Sequence, residues 1–349
     1  MKHFQSLQGQ VGSRQRYRVV LLALAAALAG VSFLSLHQGE AGLAVGQGLV
    51  DWALGHRTPA AVIMGALRLP RLVLALSIGG TLGLSGACWQ GFLRNPLADP
   101  GVLGLSTWAA LGAVGVYYTG LFHALPLLLP AASLLGAAVA TLILLAFGQC
   151  GPLVLVLAGL GLSTLGMALL ALVLNLLPSP YAAYEIMHWL MGSLAQDGWP
   201  EALLALPGLG LGGLLLLGSG RGLDAMALGE EVARSMGFAP ERLQLRLVCG
   251  TALVVGSGVA VSGAIGFVGL VVPHMVRSVT GGRPSFTLLP SALAGAVLLG
   301  GADVLVRIPW PVLHGAELQL GVVTSLIGTP FFLAQIWKLR TRFRGSGAP

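Results

Sequence analysis

The sequence predicts an all-α polytopic membrane protein of ten transmembrane helices with both termini in the cytoplasm. Three observations lead there. Of 349 residues, 56% are hydrophobic and only 9% charged, with a mean hydropathy of +0.86, whereas a water-facing domain carries about 25% charged residues. Runs such as Gly101–Tyr184 and Ala202–Ser219 contain no Asp, Glu, Lys or Arg. Glycine numbers 52, about twice its usual share; in lipid, where apolar attraction between helices is lost, small residues let helices approach closely. This composition excludes a soluble enzyme and a nucleic-acid binder. The formal charge of +7 reflects basic residues held on the cytoplasmic side.

A basic N-terminal tail (Lys2, Arg14, Arg16, Arg18) precedes the apolar run Val19–Leu36. That run is long for a signal peptide and more spans follow, so an uncleaved first helix is expected. At about 20 apolar residues per span, further spans are Leu72–Leu93, Gly101–Phe122, Ala124–Phe147, Pro152–Leu177, Ala202–Ser219, Leu247–Ala264, Gly266–Thr280, Thr287–Ile308 and Leu318–Trp337. Leu247–Met275 could be one helix, but it would be roughly 43 Å long against a hydrocarbon core of about 30 Å. Splitting it gives ten spans, puts the C-terminal cluster Lys338, Arg340, Arg342 and Arg344 on the same side as the N-terminal tail, and leaves only Arg57, Arg68, Arg71 and Arg307 outside. Val45–Gly55 and Tyr184–Ser193 read as short surface helices. The chain is therefore one membrane domain: tail 1–18, bundle 19–337 with a long cytoplasmic segment at 223–245, and tail 338–349.

Several chemistries are missing. The two lysines, Lys2 and Lys338, lie in no phosphate-binding loop, so no nucleotide is held by this chain. Gly208-Leu-Gly210-Leu-Gly212-Gly213 fits GxGxxG but lies inside an apolar span with no preceding strand, which makes it helix packing. Cys88, Cys150 and Cys249 form no CxxC pair and the seven histidines no HExxH, so no metal site is expected. An ion-coupled secondary transporter, the alternative reading, needs ionisable groups in the membrane. Only Asp303 and Glu317 remain, toward the outer ends of the last two helices, and Asp303 can neutralise Arg307 four residues on.

Three segments carry polar residues at informative places. In Arg68-Leu-Pro-Arg71, two guanidiniums share a helix face and either receive carboxylates bidentately or snorkel to headgroups. Arg94-Asn-Pro-Leu-Ala-Asp-Pro100 is either an ordinary turn or irregular backbone lining a water-filled path. Ala227–Phe238 is an amphipathic stretch ended by Gly237 and Pro240, with Met226, Leu228, Val232 and Met236 on one side and Glu230, Glu231 and Arg234 off it. It either lies on the bilayer or docks a soluble partner. Tyr181, Tyr184 and Trp189 either face a flat ligand or form an interfacial belt.

These segments resemble the FecCD-type permeases, membrane subunits of type II ABC importers for ferric siderophores, haem and cobalamin. The resemblance runs from about Leu67 to Lys338. It is carried by Arg68-Leu-Pro-Arg71, Ser85-Gly-Ala-Cys-Trp-Gln90, Arg94-Asn-Pro-Leu-Ala-Asp-Pro-Gly101, Ala227-Leu-Gly-Glu230, Gly263-Ala-Ile-Gly-Phe-Val-Gly-Leu-Val-Val-Pro-His274 and Glu317-Leu-Gln-Leu-Gly-Val-Val-Thr324. It implies a homodimer enclosing one path in the bacterial inner membrane. Two ATPase subunits would bind below, holding the ATP and Mg and leaving this chain no cofactor, and a periplasmic substrate-binding protein would dock above. By the same resemblance Arg68, Arg71 and Arg307 meet that binding protein, and Asn95 and Leu97 form a cytoplasmic gate. A second gate segment falls at Cys150-Gly151-Pro152, where cobalamin-type members carry small hydroxyl residues. Ala227, Leu228, Gly229, Glu230, Glu231 and Arg234 match the coupling helices seated on the ATPase. An iron complex ranks first as cargo and cobalamin second.

Overall fold

The computed structural model describes residues 2–38, 45–121, 125, 127–147, 152–308 and 318–345. Every apolar run expected to span carries a helix: α1 (Lys2–His37), α4 (Leu69–Phe92), α5 (Leu105–Thr119), α6 (Leu128–Phe147), α7 (Pro152–Asn175), α9 (Trp199–Leu217), α12 (Pro240–Ser262), α13 (Val268–Thr280), α14 (Pro284–Val306) and α15 (Leu320–Gly345). Between them lie the short helices α2 (Val45–Ala53), α3 (Pro59–Ile63), α8 (Pro180–Leu190), α10 (Gly220–Ala227) and α11 (Glu230–Ser235). Among the described residues seven helical stretches are long and apolar enough to cross a membrane. α1 begins at Lys2, so much of the expected N-terminal tail is helical too.

Capping chemistry sets several boundaries that apolar periodicity misplaced. Thr58 accepts from Ala61 N ahead of Pro59, and Ser179 accepts from Tyr181 N ahead of Pro180. These starts fit the preference for a hydroxyl N-cap followed by proline, and they begin α8 four residues earlier than Tyr184. Before α4, residues 64–68 form a π-helical turn, in which Leu69 N bonds to Met64 O. Pro70 has no N–H to donate, and a widened turn at such a place is a known accommodation.

α4 and α12 form the interior. More than half of α4's apolar window and 72% of α12's are buried, against 6% for α1. Glycines decide the crossings. A Cβ on Gly86 of α4 would lie 1.8 Å from the carbonyl oxygen of Gly269 in α13, and one on Gly83 would lie 2.4 Å from Ser291 O in α14. Gly208 and Gly212 of α9 face Ser257 and Gly250 of α12 at similarly short range, which supports the packing reading of the GxGxxG match. Ser85, Trp89 and Thr251 tie α4 to α12: Trp89 Nε1 donates to Thr251 Oγ1 at 2.9 Å, which lies 3.0 Å from Ser85 Oγ.

The long run Leu247–Met275 is two helices, broken at Gly263–Phe267; Gly263 and Phe267 both sit at φ 66°. Within α13, Pro273 leaves Gly269 O without its intrahelical donor. Gln90 of α4 supplies one from outside, its Nε2 lying 3.1 Å from Leu270 O and 3.5 Å from Gly269 O. Three helix interruptions meet beside this break. Ser193 N donates to Ser262 O at 2.9 Å and Leu320 N to Gly192 O at 2.8 Å, so segments before α9, after α12 and before α15 share backbone groups.

Candidate functional site

Polar residues gather at the two ends of α4, about 36 Å apart along its axis. At its start, the π-helical turn and Pro70 project Arg68 and Arg71 toward α1 and α14. Arg71 Nε donates to Asp303 Oδ1 at 2.8 Å. Arg307 Nη2 lies 3.0 Å from Asp303 Oδ2, an ion-pair contact not aligned as a hydrogen bond. The expected i,i+4 neutralisation of Arg307 is thus present, and Asp303 serves Arg71 as well. Arg68 Nη1 donates to Leu36 O at 2.5 Å, and Arg307 Nη1 to Ser35 O at 2.8 Å. Arg68 is 6% exposed and Asp303 1%, so the arginines expected to face outward are largely buried, with their charge used inside the chain. Arg57, after α2, is exposed. Glu317, the other acid expected toward the outer end of a helix, lies outside the described residues.

Asp197, in the loop before α9, joins this cluster. Its Oδ2 is buried without a hydrogen-bond partner. Burial first, then Glu201 and Asp303, raise its pKa, while Arg71 lowers it; the net effect carries it to about 7. The folded protein therefore keeps a proton that the unfolded chain loses near pH 4. The native state's advantage from this group is complete below pH 4 and is lost as pH rises through 7. Asp197→Asn should accordingly raise Tm in detergent at pH 8, by an amount equivalent to at most about 4 kcal/mol, and leave it unchanged near pH 4. An equal gain at both pH values would show that ionisation of Asp197 is not the cause.

At the other end of α4 the chain turns through Arg94, at φ 50°. Asn95 Oδ1 accepts from Leu97 N at 3.0 Å, and Asp99 Oδ1 accepts from Gly101 N at 3.0 Å. Burial pushes the Asp99 carboxyl up and the Gly101 N–H opposes it. Asn95 and Leu97 are therefore held on a side-chain-closed turn, with Asn95 exposed. Gly151 lies outside the described residues, and Pro152 opens α7.

The segment 227–238 is not one amphipathic helix. Gly229, at φ 117°, separates α10 from α11, a conformation that favours glycine. The expected apolar side divides accordingly: Met226 is buried, while Leu228, Val232 and Met236 are exposed. Arg234 pairs with Glu230 at 3.0 Å and with Glu241. Asp224, which the sequence reading passed over, anchors α10 to the start of α14. It accepts from Ser285 N at 2.9 Å, Ser285 Oγ at 2.7 Å and Arg283 Nε at 2.9 Å. A groove of about 620 Å³ runs between Leu228, Met236 and Phe238 on one side and the turn before α14 on the other.

On α8, Tyr181 and Tyr184 are 83% and 68% exposed, and Tyr184 stacks on His188. Trp189 instead packs against the core. A second cavity, about 600 Å³ and mostly apolar, lies between the end of α8 and α15 beside the shared interruptions, lined by Met191, Ala264, Gly321, Ser325, Thr329 and Leu333 among others.

The model of the FecCD transport family matches residues 20–338. The chain belongs to that family. Its FecCD relatives include the Fe(3+) dicitrate transport system permease protein FecD of Escherichia coli, 36% identical over 92% of this chain and 99% of that protein. The hemin transport system permease protein HmuU of Yersinia pestis is 40% identical over 80% and 84%. The vitamin B12 import system permease protein BtuC of Vibrio vulnificus is 36% identical over 93% and 95%. Among solved structures, an inward-facing transporter assigned to the metal-chelate type of ABC transporter superposes with a TM-score of 0.81 at 28% identity, covering 92% of this chain and 99% of that one. The chain is thus a multi-pass inner-membrane permease, the membrane component of an ABC transporter, whose ATPase is a separate subunit.

In this FecCD chain, two inter-helix contacts escaped the sequence reading. Asp224 meets Arg283 and Ser285 and Asp303 meets Arg71, and no spacing within one helix reveals such pairs. Only the Asp303–Arg307 spacing gave a signal.

Proposed function

We propose that this chain is the permease of an ATP-driven importer that carries an iron complex, ferric siderophore or haem, from a periplasmic binding protein to the cytoplasm, with cobalamin ranked second. The observation that carries this reading is the FecCD match across residues 20–338, with relatives named for ferric dicitrate, hemin and vitamin B12. In this proposal ten spans cross the bilayer with both termini cytoplasmic, and two copies enclose one path. The arginine cluster lies outside and meets the binding protein through Arg68, Arg71 and Arg307. The α10–α11 segment lies inside on the ATPase, and Asn95, Leu97, Gly151 and Pro152 gate the cytoplasmic side. ATP binding and hydrolysis on the partner subunits move α10–α11, and Asp224 passes that motion to α14 through its three bonds to Arg283 and Ser285. A mostly apolar cavity with Ser325 and Thr329 supports weak cargo contact, leaving specificity to the binding protein.

Purifying the chain in mild detergent from its native membrane, then passing periplasmic extract over the immobilised complex, tests this. A stoichiometric partner with a nucleotide-binding lysine and a retained soluble binding protein are expected. Recovery of the chain alone, with gradient-driven uptake in liposomes, would overturn the reading. The coupling role has its own test. Glu230, Arg234 and Glu241 are about half exposed, and such solvent-screened pairs contribute little to stability. Glu230→Ala with Arg234→Ala should therefore leave Tm nearly unchanged yet uncouple ATP hydrolysis from uptake. Intact coupling in that variant would remove α11 from the mechanism.

A further inference from the structure

α1 is the least embedded of the apolar helices that meet the spanning criteria, and it packs chiefly on α14. Its outer end is nonetheless firmly held. The last carbonyls of a helix have no intrahelical donors and carry the negative end of the helix dipole. At α1 they are met by guanidiniums from two other helical segments. Arg68 Nη1 donates to Leu36 O. Arg307 Nη1 donates to Ser35 O and, at 3.4 Å, to Gln38 O, and Arg307 Nη2 donates to Ser35 Oγ at 2.6 Å. Arg307 Nε donates to Asp303 O at 3.3 Å. Nε, Nη1 and Nη2 of that guanidinium are thus all engaged within the chain, and Nη2 also sits against the Asp303 carboxylate. Ser35 is 2% exposed, while Leu36 and Gln38 are half-buried, so the bonds to Ser35 are the best shielded from water.

We propose that Arg68 and Arg307 are positioning residues that fasten the outer end of α1 to α4 and α14, with Asp303 the internal carboxylate that aims Arg71 and Arg307. Arg307 then receives a carboxylate from another protein only by releasing the last turn of α1. The fastening stands on the geometry alone; the release clause rests on the docking reading above.

Hydrogen–deuterium exchange of residues 32–38, measured on the full chain in nanodiscs, tests the fastening. Arg307→Ala should accelerate exchange there at least tenfold. Arg71→Ala, which loses a bond to Asp303 but none to α1, should change it less than threefold. Ser35→Ala removes an acceptor without leaving a charge bare and should give an intermediate increase, which keeps the test available if Arg307→Ala does not fold. Unchanged exchange in Arg307→Ala and Ser35→Ala, or equal acceleration in Arg71→Ala, would overturn the fastening. For the release clause, the binding protein recovered from the periplasmic extract is the probe. Its docking should deprotect 32–38. Docking scored by co-elution with 32–38 still protected would overturn the release while leaving the docking reading intact. Failure of that protein to co-elute would overturn docking and release together and leave the fastening standing.

Discussion

Gly86→Ala should yield little or no monodisperse protein, whereas Gly115→Ala should behave as wild type. The added methyl at 86 would meet Gly269 O at 1.8 Å and Gly269 C at 2.5 Å. Both are backbone atoms, so no rotamer change relieves the clash, and α4 and α13 must separate by more than an ångström. Overpacking of side chains typically costs about 1–3 kcal/mol, and a backbone clash has fewer ways to relax. Separation would also pull Gln90 away from Leu270 O, leaving buried polar groups without partners at about 1–3 kcal/mol each. Gly115 has nothing within 4 Å of its added methyl, so it controls for the general effect of losing a glycine. Fluorescence-detected size-exclusion chromatography reads both variants. A normal Gly86→Ala peak would mean that the α4–α13 crossing is slack.

The second large effect is expected at Asp303. Replacing it with alanine strips the carboxylate from two nearly buried arginines, and breaking a buried ion pair in this way costs about 3–5 kcal/mol. Asp303→Asn keeps an acceptor for Arg71 Nε and should cost less. Replacing all three members with apolar residues of similar volume (Arg71→Met, Asp303→Leu, Arg307→Met) should recover part of the lost stability: desolvated charges and their attraction nearly cancel, while the bonds of Arg307 to Ser35 are still lost. Thermal scans of the four proteins in one detergent distinguish these cases. If the triple variant is less stable than Asp303→Ala, the cluster contributes to stability through more than charge neutralisation.

Much of the fold was legible because apolar runs of about 20 residues have few alternatives in lipid. The break in Leu247–Met275 followed from its length together with the sidedness of the two basic tails. The glycines were readable as packing, and Gly83, Gly86 and Gly212 are used that way. Position within one helix was readable too, as the Asp303–Arg307 pair shows. What lay hidden depends on which helix stands beside which. Arg71 meets Asp303 across 232 residues of sequence and Asp224 meets Ser285 across 61, and no periodicity encodes either. Ala227–Phe238 misled for a different reason. Its apolar residues fit a helical stripe, but Gly229 takes a backbone angle that ends the helix after Ala227, and glycine in this chain more often marks contact than a turn.

The meeting of Gly192, Ser262 and Leu320 has a mechanical consequence. An α-helix resists bending because each carbonyl is tied to a donor one turn away on the same rod. Where Ser262 O is held by Ser193 N and Gly192 O by Leu320 N, that restraint is exchanged for ties between neighbouring segments. A bend placed at that level would break fewer intrahelical hydrogen bonds than one placed within α12 or α15.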